Sequence, residues 1–141
     1  MIREILTYDD ARVRTTTLVD GIKTSVSVTD PANVTEWTTI SHSYDPSNGR
    51  ATERLVTFDN GKIRTDTFDA FGIISSRKVE DTTTAYTWLS KQFTYTSGAL
   101  SQRVVTHDDG RVVTTDFASG VKTGHTIVDA NNAYGWASRA Y

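Results

Sequence analysis

An aspartate-bearing turn returns three times in this chain at a nearly constant interval: Tyr8-Asp9-Asp10-Ala11-Arg12-Val13, Phe58-Asp59-Asn60-Gly61-Lys62-Ile63 and His107-Asp108-Asp109-Gly110-Arg111-Val112. The leading aspartates, Asp9, Asp59 and Asp108, stand 50 and 49 residues apart. Two further landmarks keep that interval. Trp37, Trp88 and Trp136 recur after a polar turn, and an acid precedes each of them at Asp30, Asp81 and Asp129. A recurrence of this length marks a chain built from like supersecondary units laid side by side, which excludes most irregular globular folds at once. The 141 residues fit one domain, read as a partial repeat over 1–37, repeats over 38–88 and 89–136, and the start of another over 137–141.

Each unit holds four strand signals. After Trp88, segments of seven to nine residues are punctuated by Ser97-Gly98, Asp108-Asp109-Gly110, Ser119-Gly120 and Asp129-Ala130-Asn131-Asn132. Gly supplies positive φ and Asp or Asn tolerates it, so this is the grammar of consecutive hairpins. The composition agrees: 24 Thr, with Val, Ile, Tyr, Phe and Trp, favour a pleated sheet over a helix. The expected fold is therefore all-β, an antiparallel meander of about twelve strands. The spacing predicts them at 2–8, 12–19, 22–29, 36–44, 50–58, 62–69, 73–80, 86–95, 99–107, 111–118, 121–128 and 134–141.

The first and last strands cut the repeat at complementary points. Ile2–Tyr8 matches Thr52–Phe58, and Trp136–Tyr141 matches Trp88–Phe93, so each lacks the neighbour that the other resembles. An unpaired strand is a template for further pairing. Two arrangements satisfy it: closure of the sheet on itself, or end-to-end pairing between molecules, which is heterologous and makes rings or filaments. The residues expected at these edges are Ile2, Glu4, Leu6, Tyr8, Trp136, Ser138 and Tyr141.

The strands alternate imperfectly. Strict alternation would put Ile22, Thr24, Val26 and Val28 on one side of their strand, and Trp88 with Ser90, Gln92 and Thr94 on one side of theirs. Only 37% of the residues are hydrophobic, so the core is expected to be thin or shared, with Thr and the stems of Arg covering the sheet.

Tyr44-Asp45-Pro46-Ser47-Asn48-Gly49-Arg50 and Phe68-Asp69-Ala70-Phe71-Gly72-Ile73 resemble the aromatic-Asp, spacer, Gly pattern of YD (RHS-type) repeats. The longer period is similar to repeats of large bacterial secreted or surface proteins, some of RTX type. The chain departs from the pattern at Tyr95–Gly98 and Phe117–Gly120, where the Asp is lost. The resemblance implies an extracellular or cell-surface β-array of bacterial origin, and no chemistry.

The residues themselves point away from catalysis. Cysteine is absent, which removes disulfides, thiolate ligands and thiol nucleophiles. His42, His107 and His125 fall on separate strands without ligand spacing, and the turn aspartates lack the glycine-rich nonapeptide or spaced acids of calcium loops. No nucleophile elbow or phosphate loop is present. Fifteen Lys and Arg and seventeen Asp and Glu are interspersed, so neither nucleic acid nor membrane insertion is expected, and no apolar run is long enough to span a bilayer. No metal or cofactor is expected. The aromatics Trp37, Trp88, Trp136, Tyr44 and Tyr95 either pack over their own turns or offer stacking surfaces to a glycan or a host surface protein. Two functions follow as expectations: a non-enzymatic structural or assembly module that self-associates by strand addition, or a closed, monomeric, three-fold lectin-like domain.

Overall fold

A computed structural model describes all residues, 1–141. Twelve strands form one antiparallel sheet whose spatial order is the chain order. They are β1 (Ile2–Thr7), β2 (Val13–Val19), β3 (Ile22–Thr29), β4 (Trp37–Tyr44), β5 (Ala51–Phe58), β6 (Lys62–Phe68), β7 (Ile74–Asp81), β8 (Trp88–Thr96), β9 (Ala99–His107), β10 (Arg111–Ala118), β11 (Val121–Asp129) and β12 (Ser138–Ala140). There is no helix. β1 pairs only with β2 and β12 only with β11, so the sheet is open and the self-closed arrangement does not form. The physical reason lies in the lumen. Twelve strands rolled into a barrel enclose more space than side chains fill, and this chain has few apolar side chains to fill it with.

Turn chemistry sets the strand ends. Asp20-Gly21, Ser97-Gly98 and Ser119-Gly120 all have positive φ at both residues, the type I′ geometry whose twist matches a hairpin. At the opposite end, Gly61 and Gly110 close the aspartate turns at φ 81° and 84° by donating to the carbonyls of Phe58 and His107 at 3.0 Å. A Cβ at either glycine would run into the side chain of Thr83 or Asn131 from the neighbouring loop. The first aspartate turn carries Ala11 at that position, at φ 69°.

Residues opposite one another across a ladder share a face, so the registers can be followed over the whole sheet. One row runs Leu6, Arg14, Val28, Ile40, Val56, Arg64, Val79, Lys91, Val105, Val113, Ile127 and Arg139. Beside it on the same face run Glu4, Thr16, Val26, His42, Arg54, Asp66, Arg77, Phe93, Arg103, Thr115 and His125. The other face is short and hydroxylated, with a central row of Ile5, Thr15, Ser27, Ser41, Leu55, Thr65, Lys78, Gln92, Val104, Thr114, Thr126 and Ala140.

Bulges overturn two of the face assignments expected from strict alternation. The register shifts between Thr17 and Leu18, which puts Lys23 opposite Leu18 and takes Ile22 off the face of Val26. It shifts again between Trp88 and Ser90, so Trp88 lies on the face of Lys91, whose Nζ sits 4.4 Å from its ring centroid, and not with Ser90 and Gln92. An extra residue on one strand reverses every side chain beyond it.

Only seven of 141 residues are buried, and two of these, Val26 and Val56, are apolar. The accessible surface is 8538 Å², against about 7,250 Å² for a compact monomer of 15.6 kDa. The molecule is accordingly one layer thick. Its thin core lies on the basic face, where Val26, Val56, Asp66 and Thr115 are covered by long side chains of their own sheet.

Candidate assembly edges

The β1 edge is exposed along its entire length. Ile2, Glu4 and Leu6 project to the basic face opposite Leu18, Thr16 and Arg14, while Ile5 lies on the hydroxyl face. Ile2, Ile5 and Leu6 are 61%, 68% and 52% exposed, too apolar for a strand edge meant to stay in water. β1 has no proline, bulge or lysine, and its charged residues are Arg3 and Glu4 alone. Tyr8 falls just beyond the strand, its amide donating to the Arg12 carbonyl at 2.9 Å and its ring lying 5.4 Å from the Arg12 guanidinium.

The β12 edge is shorter than expected from the spacing, three residues rather than eight, because Tyr134 to Trp136 is used in a loop. Ser138 and Arg139 pair with Val128 and Ile127, and Tyr141 extends the ladder by exchanging two backbone hydrogen bonds with His125, at 3.2 and 2.7 Å. Trp136 stacks on Tyr134 with centroids 5.6 Å apart, and the Arg139 guanidinium lies 4.7 Å from its ring.

Three loops that present the tryptophans share one hydrogen-bond plan. Asp30 accepts from the amides of Val34 and Thr35 and the Thr35 hydroxyl. Asp81 accepts from the amides of Thr83, Ala85 and Tyr86, and Asp129 from those of Ala133 and Tyr134. Burial pushes the Asp30 and Asp81 carboxyls up, but these hydrogen bonds outweigh it and hold both below the ordinary carboxylate value. In each loop one residue has left-handed backbone, Asn33, Thr84 or Asn132. The aspartate turns then dock on the loops: the Asp59 and Asp108 amides donate to the carbonyls of Glu36 and Thr87, Asn60 donates to the Tyr86 hydroxyl at 3.1 Å, and the Tyr134 hydroxyl donates to Asp109 at 2.9 Å.

The aromatic positions are thereby occupied by intramolecular partners. Trp88 stacks on Tyr86 at 4.9 Å and 14°, and Trp37 stands half-buried opposite Phe58. Tyr44 holds the Lys23 ammonium 4.0 Å from its ring, and Tyr95 is half-buried opposite Leu100. Trp88 and Trp136 each lie against the tyrosine of their own loop.

The ladder also gathers charges that are scattered in the sequence. Arg14, Lys23, Arg54, Lys62, Arg64, Arg77, Lys91, Arg103, Arg111, Lys122 and Arg139 share the basic face, while Arg3 and Lys78 are on the other. At its centre Asp66, with no solvent exposure, accepts from Arg77 Nε at 2.6 Å and Arg54 Nη2 at 2.5 Å, with Arg64 Nε at 3.5 Å. Burial favours the neutral acid, but the two arginines outweigh it and the Asp66 carboxyl is held below its usual value. Sequence reasoning missed this cluster, because its members sit on three strands and become neighbours only through the register. The histidines stay apart: His125 shares a hydrogen bond of 3.1 Å with the Thr115 hydroxyl, and His42 is depressed by burial and by Arg54 and Lys23.

Both edges continue the antiparallel pairing of the sheet, and each lacks a neighbour on its outer side. Among known proteins, no protein-family model and no curated sequence matches this chain.

Proposed function

We propose that this chain is a non-enzymatic structural module that self-associates by β-strand addition, joining β12 of one copy to β1 of the next. The observation that carries the reading is an open twelve-stranded sheet whose β1 edge exposes Ile2, Ile5 and Leu6. Main-chain hydrogen bonds supply the strength of such a joint and side-chain pairs its register. Because the two edges differ, the contact is heterologous and propagates. The module's place is a bacterial cell surface, a secreted filament or a virion appendage, a setting supported by the resemblance to YD repeats and by the extended single-layer build. A homo-oligomer or filament is the partner state.

Light scattering coupled to size separation tests this on the intact chain. Species at multiples of 15.6 kDa that grow with concentration are expected. A single species of one chain mass at every concentration overturns the reading.

A further inference from the structure

The internal ladders specify how two such edges meet. Where β4 meets β5, Trp37 is opposite Phe58, Thr39 opposite Thr57, Ile40 opposite Val56, Ser41 opposite Leu55 and His42 opposite Arg54. Where β8 meets β9, the same positions recur: Trp88 with His107, Ser90 with Thr106, Lys91 with Val105, Gln92 with Val104 and Phe93 with Arg103. Both joints skip one residue after the tryptophan, and both tie the next turn down through an amide-to-carbonyl bond, Asp59 to Glu36 and Asp108 to Thr87. Two joints with different side chains thus use one register, bulge included. β12 stands in the place of β4 and β8, and β1 in the place of β5 and β9.

We propose that a second copy of this chain docks its β1 against β12 in that same register, with Trp136 opposite Tyr8, Ser138 opposite Thr7, Arg139 opposite Leu6, Ala140 opposite Ile5 and Tyr141 opposite Glu4. The proposal rests on the strand-addition reading and adds to it the alignment and the polarity. The side chains at this seam differ from the internal joints in a way that suits a contact between molecules. Glu4 takes the position that Arg54 and Arg103 hold inside the sheet, diagonal to Arg139, so opposite charges meet across the new joint. The Asp9 amide and the Gly135 carbonyl take the positions of the pairs Asp59–Glu36 and Asp108–Thr87, so the first turn of one copy is held on the last loop of the other. Exposed Leu6 gains cover from the stem of Arg139. A one-residue slip would turn Leu6 and Glu4 to the hydroxyl face and lose all three contacts. Each copy then lengthens the sheet by twelve strands, about 58 Å along the growth direction.

The chain contains no cysteine, so disulfide trapping reads the register directly. Thr7 and Ser138 are exposed, and directly opposed antiparallel residues are within disulfide reach. They are at opposite edges of the sheet, so the pair T7C with S138C can close only between molecules. Mild oxidation of the full-length double variant should give a ladder of covalent multimers, whereas I5C with S138C should give none. A ladder from the shifted pair but not from the aligned one overturns the register while leaving strand addition standing. Dimers from T7C alone, produced by β1 meeting β1, overturn the head-to-tail polarity. No ladder from either pair, in a sample that light scattering shows to be single chains, overturns both this inference and the function it rests on.

Discussion

The two faces of this sheet are made by the same strands, yet only one of them has a core. On the basic face, Arg, Lys and aromatic side chains lie along the sheet and bury Val26, Val56, Thr115 and Asp66. On the hydroxyl face, Thr and Ser are too short to cover anything, and Leu55 remains 37% exposed and Ile5 68%. The contrast shows how a single layer can hold together without a second one packed on it. Long amphipathic stems do the covering while their charged ends stay in water, and 89 backbone hydrogen bonds, 73 of them within the strands, supply the frame.

If that account holds, the largest loss should come from the centre of the basic face. Asp66→Asn removes the buried negative charge that Arg54 and Arg77 contact and leaves those cations crowded together with Arg64. The loss expected is about 3 kcal/mol or more, read from urea denaturation. The same contact gives the protein a pH dependence. Because the folded Asp66 carboxyl titrates below its unfolded value of about 3.9, the unfolded chain binds the proton first. Its contribution is complete above about pH 5 and is lost as the pH falls through the folded value. Asp30 and Asp81 are shifted the same way and act in the same direction. Melting temperature measured from neutral pH downward should drop on the acid side, and Asp66→Asn should flatten that slope. A slope unchanged by the substitution would show that the loop aspartates, not the central cluster, govern acid stability.

Next in size comes a pair of adjacent residues on opposite faces. Val56→Ala should cost about 2 kcal/mol, since Val56 is 3% exposed. Leu55→Ala deletes a larger side chain but should cost under about 1 kcal/mol if the hydroxyl face lacks a core. Equal losses in denaturation midpoints would mean that something covers the hydroxyl face in solution, which concentration dependence of the Leu55 effect would expose. The smallest effect is expected for Thr65→Val in the middle of the hydroxyl face, within about 0.5 kcal/mol of the parent by thermal unfolding.

The turn positions provide a smaller contrast within the same sheet. Ala11 has the left-handed backbone that Gly61 and Gly110 have in the equivalent turns, and it carries the steric cost of a Cβ there. Ala11→Gly should stabilise the chain by roughly 1 kcal/mol, measured as a raised denaturation midpoint. This turn follows the β1 edge, so the gain would come without altering the edge itself.

Much of the architecture could be read from the residues in order. Turn residues and strand-forming runs are local signals, and they placed twelve strands within about two residues of where they form, the exception being the last, where Tyr134 and Trp136 stack over a loop instead of entering β12. The first strand, with Ile2, Glu4 and Leu6 on it, was legible in the same local way, whereas Tyr8 and Trp136, expected on the outer strands, lie just outside β1 and β12. The face of Trp88 was not. It depends on a single extra residue at the Trp88/Ser90 bulge, and no alternation pattern reports a bulge.

The sequence by itself determined a meander of hairpins, since positive-φ turn residues and strand-forming runs act over a few residues whatever surrounds them. Tertiary structure decided that the sheet stays open, that eleven cations share one face, and that Asp66 is buried among three arginines from β5, β6 and β7. Those outcomes depend on register, which is fixed only when strands distant along the chain are laid side by side. There a shift of one residue exchanges one face for the other.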